Sequence, residues 1–310
     1  MTTGSTPLKG VSQALGGYII WGVFPLYFVL LEGVSADEVL AHRIVGSVVL
    51  VALLFAFVGR FGELRRELWS AFGNARRAGF YLAASALISG NWLIYIWATQ
   101  NGHVIDSSMG YFINPLVSVL LAMVFLGERL RRFQWLAVAL ATTGVALMVV
   151  RYGSIPWIAL GLAFTFGGYG LLRKKARAPA LSGLWIETLL LMPFALAWLV
   201  WLGVQGNLGL GHLGWKIDAL LLLAGPVTVL PLALFLASMR YLKLITIGVL
   251  QYIAPSLQFL IGLWLGEQFG EEQWVTFGFI WTALVVFTWE ALHYAHQSRS
   301  RRFHGKVLNS

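Results

Sequence analysis

Three ionisable residues stand well inside long apolar stretches of this chain: Arg43, Glu187 and Glu290. A charge at mid-bilayer costs about 3 kcal/mol or more on insertion scales, so each must face protein or a wet cavity. The guanidinium of Arg43, with His42 beside it, suits a carboxylate or other anionic group of a solute. Glu187 suits a cationic group or a transferable proton. The plainer alternative is that Arg43 and Glu187 pair with each other and fix the packing of two helices. Glu290, near His293 and His296, lies close enough to a span end to reach the interface.

Uncharged polar and aromatic residues extend this set. Asn91 and Tyr95 are four apart and share a helix face, which Trp92 flanks. An aromatic face with one amide suits a planar or cationic organic ligand. Many of the 14 tryptophans, by contrast, read as interface-belt or packing residues. Gln251, Tyr252 and Gln258 form a polar stripe that either a cavity or interhelical hydrogen bonds would explain. Asn114 precedes Pro115 and Ala254 precedes Pro255. Each proline frees a backbone carbonyl and permits a kink, serving as a gate hinge or as a fixed bend. The expected solute-contacting set is Arg43, Glu187, His42, Asn91, Trp92, Tyr95, Asn114, Gln251 and Tyr252. No phosphate-binding loop, HExxH, GxSxG or Cys/His cluster occurs, so neither ATP-driven pumping nor familiar intramembrane hydrolysis has support. No catalytic residue, cofactor or metal is expected, and the lack of cysteine excludes disulfides and thiolate chemistry.

The elements that carry these residues must be membrane helices. Apolar residues make up 58% of the 310 positions and charged residues 11%, against roughly 25% charged in a soluble domain. No Lys, Arg, Asp or Glu occurs over 10–31, 133–150, 219–239 or 244–266. Each block has about the length that spans a bilayer core as a helix. Their continuity, without alternation, argues against an outer-membrane barrel. The pattern predicts an all-α integral membrane protein with ten spans, at about 10–31, 36–58, 79–100, 106–126, 134–151, 156–172, 181–203, 217–239, 244–265 and 273–295. The first is too long for a signal-peptide core and reads as a retained helix.

With both termini in the cytoplasm, all but three of the 22 basic residues fall on the cytoplasmic side. The exceptions are Arg43 inside a span and Arg151 and Lys216 outside the membrane. This asymmetry is the positive-inside rule. The net charge of +9 therefore reports topology and attraction to an anionic bilayer, and needs no nucleic-acid partner. In this frame Arg43 lies about seven residues below the external end of the second helix. Glu187 lies about seven above the cytoplasmic end of the seventh, so each is roughly 10 Å deep.

The two halves resemble one another. Trp21-Gly22-Val23-Phe24 aligns with Phe166-Gly167-Gly168-Tyr169 at an offset of 145, which also carries His42-Arg43 onto Glu187-Thr188. Ile113-Asn114-Pro115 answers Ile253-Ala254-Pro255. Leu126-Gly127-Glu128 answers Leu265-Gly266-Glu267, each followed by a tryptophan, Trp135 and Trp274. Five helices per repeat is an odd number, so the second copy enters the membrane upside down. The expected units are 1–151, 152–295 and a basic cytoplasmic tail, 296–310. Inverted repeats are a recurrent plan of secondary transporters, with the solute site between the halves near the midplane. A small-molecule solute is therefore the expected partner besides lipid. Channel, uniporter and membrane-embedded enzyme are the competing readings.

The run Gly110-Tyr111-Phe112-Ile113-Asn114-Pro115-Leu116, with Phe125-Leu126-Gly127-Glu128-Arg129-Leu130, resembles the EamA half of drug/metabolite transporters. Trp21 to Tyr27, Leu40 to Ile44, Asn91 to Trp97, Asn101 to Val104 and Ile186 to Leu190 resemble the RarD group of that superfamily. The resemblance covers nearly the whole chain. It implies two five-helix EamA repeats, a bacterial inner membrane, alternating access and export, with a cavity lined by helices one to four and six to nine.

Overall fold

The computed structural model describes residues 6–31, 33–100, 104–153, 155–264 and 274–290. The described residues are helical, joined by short turns, with no strand among them. The helices are α1 (Thr6–Gly22), α2 (Phe24–Val29), α3 (Ala36–Phe57), α4 (Phe61–Phe72), α5 (Ala75–Gln100), α6 (Val104–Leu126) and α7 (Arg132–Tyr152). They continue with α8 (Trp157–Ala176), α9 (Ala180–Val204), α10 (Trp215–Ser238), α11 (Leu244–Leu250), α12 (Ile253–Trp264) and α13 (Trp274–Glu290). The Leu265-Gly266-Glu267 motif, the 267–272 loop, His103, His293, His296 and the tail 296–310 lie outside the described residues.

Seven segments are long and apolar enough to cross a membrane: Leu8–Val29, α3, Met109–Leu126, Arg132–Val150, α9, α10 and Leu244–Ile261. Helices α5 and α8, of 26 and 20 residues, have the length. Their apolarity is diluted by Ser85, Ser89 and Asn91 in α5 and by Arg173, Lys174 and Lys175 in α8. Helix α13 is apolar but shorter. Exposed apolar side chains such as Leu53, Leu93, Val124, Val150, Phe194 and Leu222 coat the outside of the long helices. Such a coat is what lipid requires.

Two expected spans are broken, and each break has a proline beside it. Pro25 has no N–H to give the Trp21 carbonyl, and the chain turns at Val23 between α1 and α2. The orphaned Trp21 carbonyl accepts instead from Gln258 Nε2 at 3.1 Å, which ties α1 to α12. At Pro255 the missing donor frees the Gln251 carbonyl, and the N–H of Ala254 takes it at 3.1 Å. The turn at Gln251–Tyr252 separates α11 from α12. Pro115, in contrast, sits within continuous α6.

The stretch 59–78, left between spans by the sequence pattern, contains α4. Its three faces are distinct. Leu64 and Ala71 are buried against α3, α5 and α9, Phe61, Trp69 and Phe72 are exposed with Arg65 among them, and Glu63 and Arg66 point elsewhere. The Arg60 side chain bonds Glu63 at 2.6 Å and holds its carboxyl below the usual carboxylate range. Glu67 accepts from Arg77 and Tyr81, both at 2.8 Å.

Helices of the N-terminal half pack mainly on helices of the C-terminal half, not on their chain neighbours. Helix α3 lies between α9 and α10, α1 against α10 and α12, α5 against α8 and α9, and α6 against α8 and α11. One buried apolar cluster spans α1, α3, α5, α9 and α10, and a second spans α6, α7, α8, α11, α12 and α13.

Candidate functional site

Helices α3 and α10 cross at Gly46 and Gly225. A Cβ on Gly225 would stand 2.6 Å from the Gly46 carbonyl, so only glycine permits this approach. Arg43 lies one turn before Gly46 and Thr228 one turn after Gly225, and the crossing brings them together. Arg43 Nε donates to Thr228 Oγ1 at 2.9 Å. The Thr228 hydroxyl proton goes to the Ala224 carbonyl at 2.7 Å, which leaves a lone pair for Arg43.

Rings close around the guanidinium. Its carbon lies 5.4 Å from the centroid of Trp92 on α5 and 5.9 Å from that of Phe24 on α2. These are cation–π contacts worth roughly 0.5–2 kcal/mol each, depending on desolvation. Tyr27, Tyr95 and Tyr111 are near enough to interact with it electrostatically. Tyr95 and Tyr111 meet edge to face with centroids 6.1 Å apart, and Tyr27 is anchored through its hydroxyl to the Leu220 carbonyl at 2.9 Å. No hydrogen bond or ion pair engages the terminal nitrogens of Arg43 among the described residues. The side chain stays partly exposed although α2, α3, α5, α6 and α10 surround it. It therefore sits in a ring-lined niche between these helices and keeps some accessible surface.

Glu187 occupies a different environment. Both of its oxygens are taken, Oε1 by Arg173 Nη1 at 2.8 Å and Oε2 by the Tyr169 hydroxyl at 2.9 Å. Arg173 Nη2 also donates to the carbonyls of Pro179 and Ala180 at 3.0 and 3.1 Å. Glu187 is 0% and Arg173 3% exposed. The network staples α8 to α9, so the pairing of Arg43 with Glu187 considered above does not occur. Trp198 Nε1 donates to Asp37 at 2.6 Å and sets the register of α3 against antiparallel α9. That register places Glu187 about five residues, ~8 Å, further along the bundle axis than Arg43.

The other candidates divide between the two regions. Trp92 and Tyr95 sit at the Arg43 pocket. Asn91, one turn from Tyr95, spends its amide N–H groups on the Leu162 carbonyl and Thr165 Oγ1 of α8, at 3.0 and 3.1 Å. His42 faces Glu38 at 3.6 Å, away from Arg43's partners. Asn114 is buried and accepts a long bond from Ser118 at 3.4 Å. Gln251 is buried in the turn before α12. Tyr252 is buried too, its hydroxyl without a partner among the described residues, and with Pro115 and Val119 it lines a small apolar cavity closed by Ala137 and Ala141 of α7 and Ala283 of α13. Glu290 pairs with Arg131 at 2.9 Å.

Several residues with defined roles carried no signal in the sequence. Arg173 stands in a run with Lys174 and Lys175 that reads as cytoplasmic charge. Its spacing of four from Tyr169, on the face toward Glu187, is the one available clue. Glu128, named above only within the repeated Leu-Gly-Glu motif, accepts the backbone N–H groups of Leu244 and Ile245, each at 3.0 Å, and so caps α11 of the other half. At the other end of the bundle Glu38 accepts the backbone N–H groups of Gly209 and Leu210, in the connection between α9 and α10, at 2.9 to 3.1 Å.

A bundle of interlocked helices with an apolar exterior, and one ring-lined, partly exposed guanidinium within it, has the makings of a membrane transporter. A profile of the EamA-like transporter family matches residues 8–150. An uncharacterized transporter of Vibrio cholerae is 44% identical over 95% of this chain and 96% of its own. Protein RarD of Escherichia coli is 44% identical over 92% of this chain and 95% of its own. An uncharacterized transporter of Bacillus subtilis is 43% identical over 94% and 97%. A solved crystal structure, at 16% identity, superposes with a TM-score of 0.66 over 93% of this chain and 99% of that one, a likeness of fold. The chain belongs to the EamA-like transporter family of drug/metabolite transporters, in the group that includes RarD; it is a multi-pass membrane transporter and not an enzyme.

Proposed function

We propose that the chain is a secondary transporter of the bacterial inner membrane that moves a small organic solute past Arg43 by alternating access, with net export. The observation that carries this reading is the partly exposed guanidinium of Arg43, whose terminal nitrogens no described residue claims, at a crossing of the two halves. Trp92 and Tyr95 line the pocket with it. Asn91 ties its wall to α8, and the Gln251–Pro255 turn supplies a bend, with Pro115 a position in α6 lacking a backbone donor, about which one half can move against the other.

Ten spans as two inverted repeats fit the packing. The spans in order are α1–α2, α3, α5, α6, α7, α8, α9, α10, α11–α12 and α13. Exchange of the two sets of five maps the contact of α1 with α10 onto that of α8 with α5, and α3 with α10 onto α9 with α5. It likewise maps α6 with α8 onto α12 with α1, while α3 with α9 and α6 with α11 map onto themselves. Glycines follow the same exchange: Gly22 seats against Ala254 and Leu257 of α12, and Gly167 against Val117, Ser118 and Leu121 of α6. Glu128 and Glu38 clamp the halves together at opposite ends, and alternating access requires one clamp to open at a time.

Purified protein in proteoliposomes preloaded with a bacterial small-molecule extract provides the test. Saturable uptake with counterflow is expected. Flux that does not saturate would assign a channel, and a chemically altered product would assign an enzyme.

A further inference from the structure

We propose that the transported solute is an organic anion, a carboxylate on an apolar, ring-bearing body, without an ammonium group to balance it. This rests on the reading of the Arg43 pocket as the solute site. A guanidinium stays protonated in a protein and carries its donors in a fixed planar fork. Thr228 takes Nε and so orients the fork, while no described residue claims the terminal nitrogens of this partly exposed side chain. Two parallel N–H groups match the two oxygens of a carboxylate. A charge held off the bulk solvent without a partner is costly, and an incoming anion relieves that cost.

Among the described side chains, the acids inside the bundle already hold partners. Glu187 is saturated by Arg173 and Tyr169. Glu38 is saturated by the amides of Gly209 and Leu210. Glu290 is paired with Arg131. Among the acids whose side chains are described, none stands unclaimed beside Arg43, so a zwitterion would bring a cation to a site that already holds one. The rest of the wall is aromatic: Trp92 and Phe24 flank the guanidinium and Tyr95 stands one turn on from Trp92. These faces fit the flat or apolar remainder of the solute.

The experiment divides a bacterial small-molecule extract by ion exchange into anionic, neutral, and cationic-plus-zwitterionic fractions. Uptake of each into proteoliposomes is read by mass spectrometry. Competition by phenylacetate, phenylacetamide, phenethylamine and phenylalanine, which share a ring and differ in charge, is read against it. The expected result is uptake from the anionic fraction, inhibited by phenylacetate at least tenfold more strongly than by the other three. Arg43→Gln should lose that uptake at least tenfold, and Arg43→Lys should keep charge selectivity with weaker affinity. Thr228→Val retains the charge and loosens the fork, so a raised half-saturation concentration with normal folded yield separates orientation from folding. Uptake drawn from the cationic or neutral fractions, or equal inhibition by phenylalanine, overturns the anion assignment and leaves transport standing. No uptake from any fraction overturns the transport reading, and this proposal with it.

Discussion

Removing one partner of a fully buried ion pair strands the other charge, at a cost of about 3–5 kcal/mol. Glu187→Gln would leave Arg173 with two carbonyls and no counter-charge, since the Arg173–Glu187 pair is at most 1% exposed on its side chains. A clear fall in the melting temperature of the purified protein is expected, and replacing both with Glu187→Gln and Arg173→Met should recover most of it. A normal melting temperature for the single variant would mean that the carboxylate does not hold Arg173. The sequence made Glu187 conspicuous because a lone acid in an apolar helix is chemically expensive. Its partner was invisible, because Arg173 lies next to Lys174 and Lys175 and a basic run reads as topology. Arg43, Trp92 and Tyr95 could be chosen by type and spacing. Thr228, Phe24, Tyr27 and Tyr111 could not, for nothing local says that they meet Arg43.

At the level of the helices, the Arg43 pocket depends on a crossing that no single helix encodes. Gly225→Ala places a methyl group 2.6 Å from the Gly46 carbonyl, and overpacking of this kind costs about 1–3 kcal/mol. Helices α3 and α10 must then separate, so weaker solute uptake should accompany the lowered stability as the Arg43–Thr228 bond lengthens. Gln258→Leu tests the break between α1 and α2. It leaves the part-buried Trp21 carbonyl without its side-chain donor, which costs about 0.5–1.5 kcal/mol, the net worth of an ordinary hydrogen bond, and should appear as a matching loss of thermal stability. Hydropathy marked both broken spans as continuous, because a change of two or three residues in helix direction leaves the apolar run intact. It passed over α4 for the opposite reason: five arginines over 60–77 obscured a helix whose buried face is only Leu64, Leu68 and Ala71.

For the whole molecule, topology is testable directly, since the chain has no cysteine and any introduced thiol is unique. Ser70→Cys in α4 and Asn207→Cys between α9 and α10 are both exposed positions. A membrane-impermeant maleimide added to intact cells should label Asn207→Cys at once and Ser70→Cys only after permeabilisation. The reverse pattern would invert the orientation drawn from the basic loops. Composition and hydropathy determined by themselves that this chain is a helical membrane protein, because the cost of charge and of unpaired backbone in lipid acts on each segment separately. Internal similarity and ordered motifs pointed to its family for the same reason, being properties of the chain read in order. Which charges are neutralised, and that no described residue claims the terminal nitrogens of Arg43, was decided only by the tertiary structure. Arg43 and Glu187 look equally buried by sequence, and only the side chains that other helices bring across to them distinguish a saturated pair from a guanidinium with unclaimed donors.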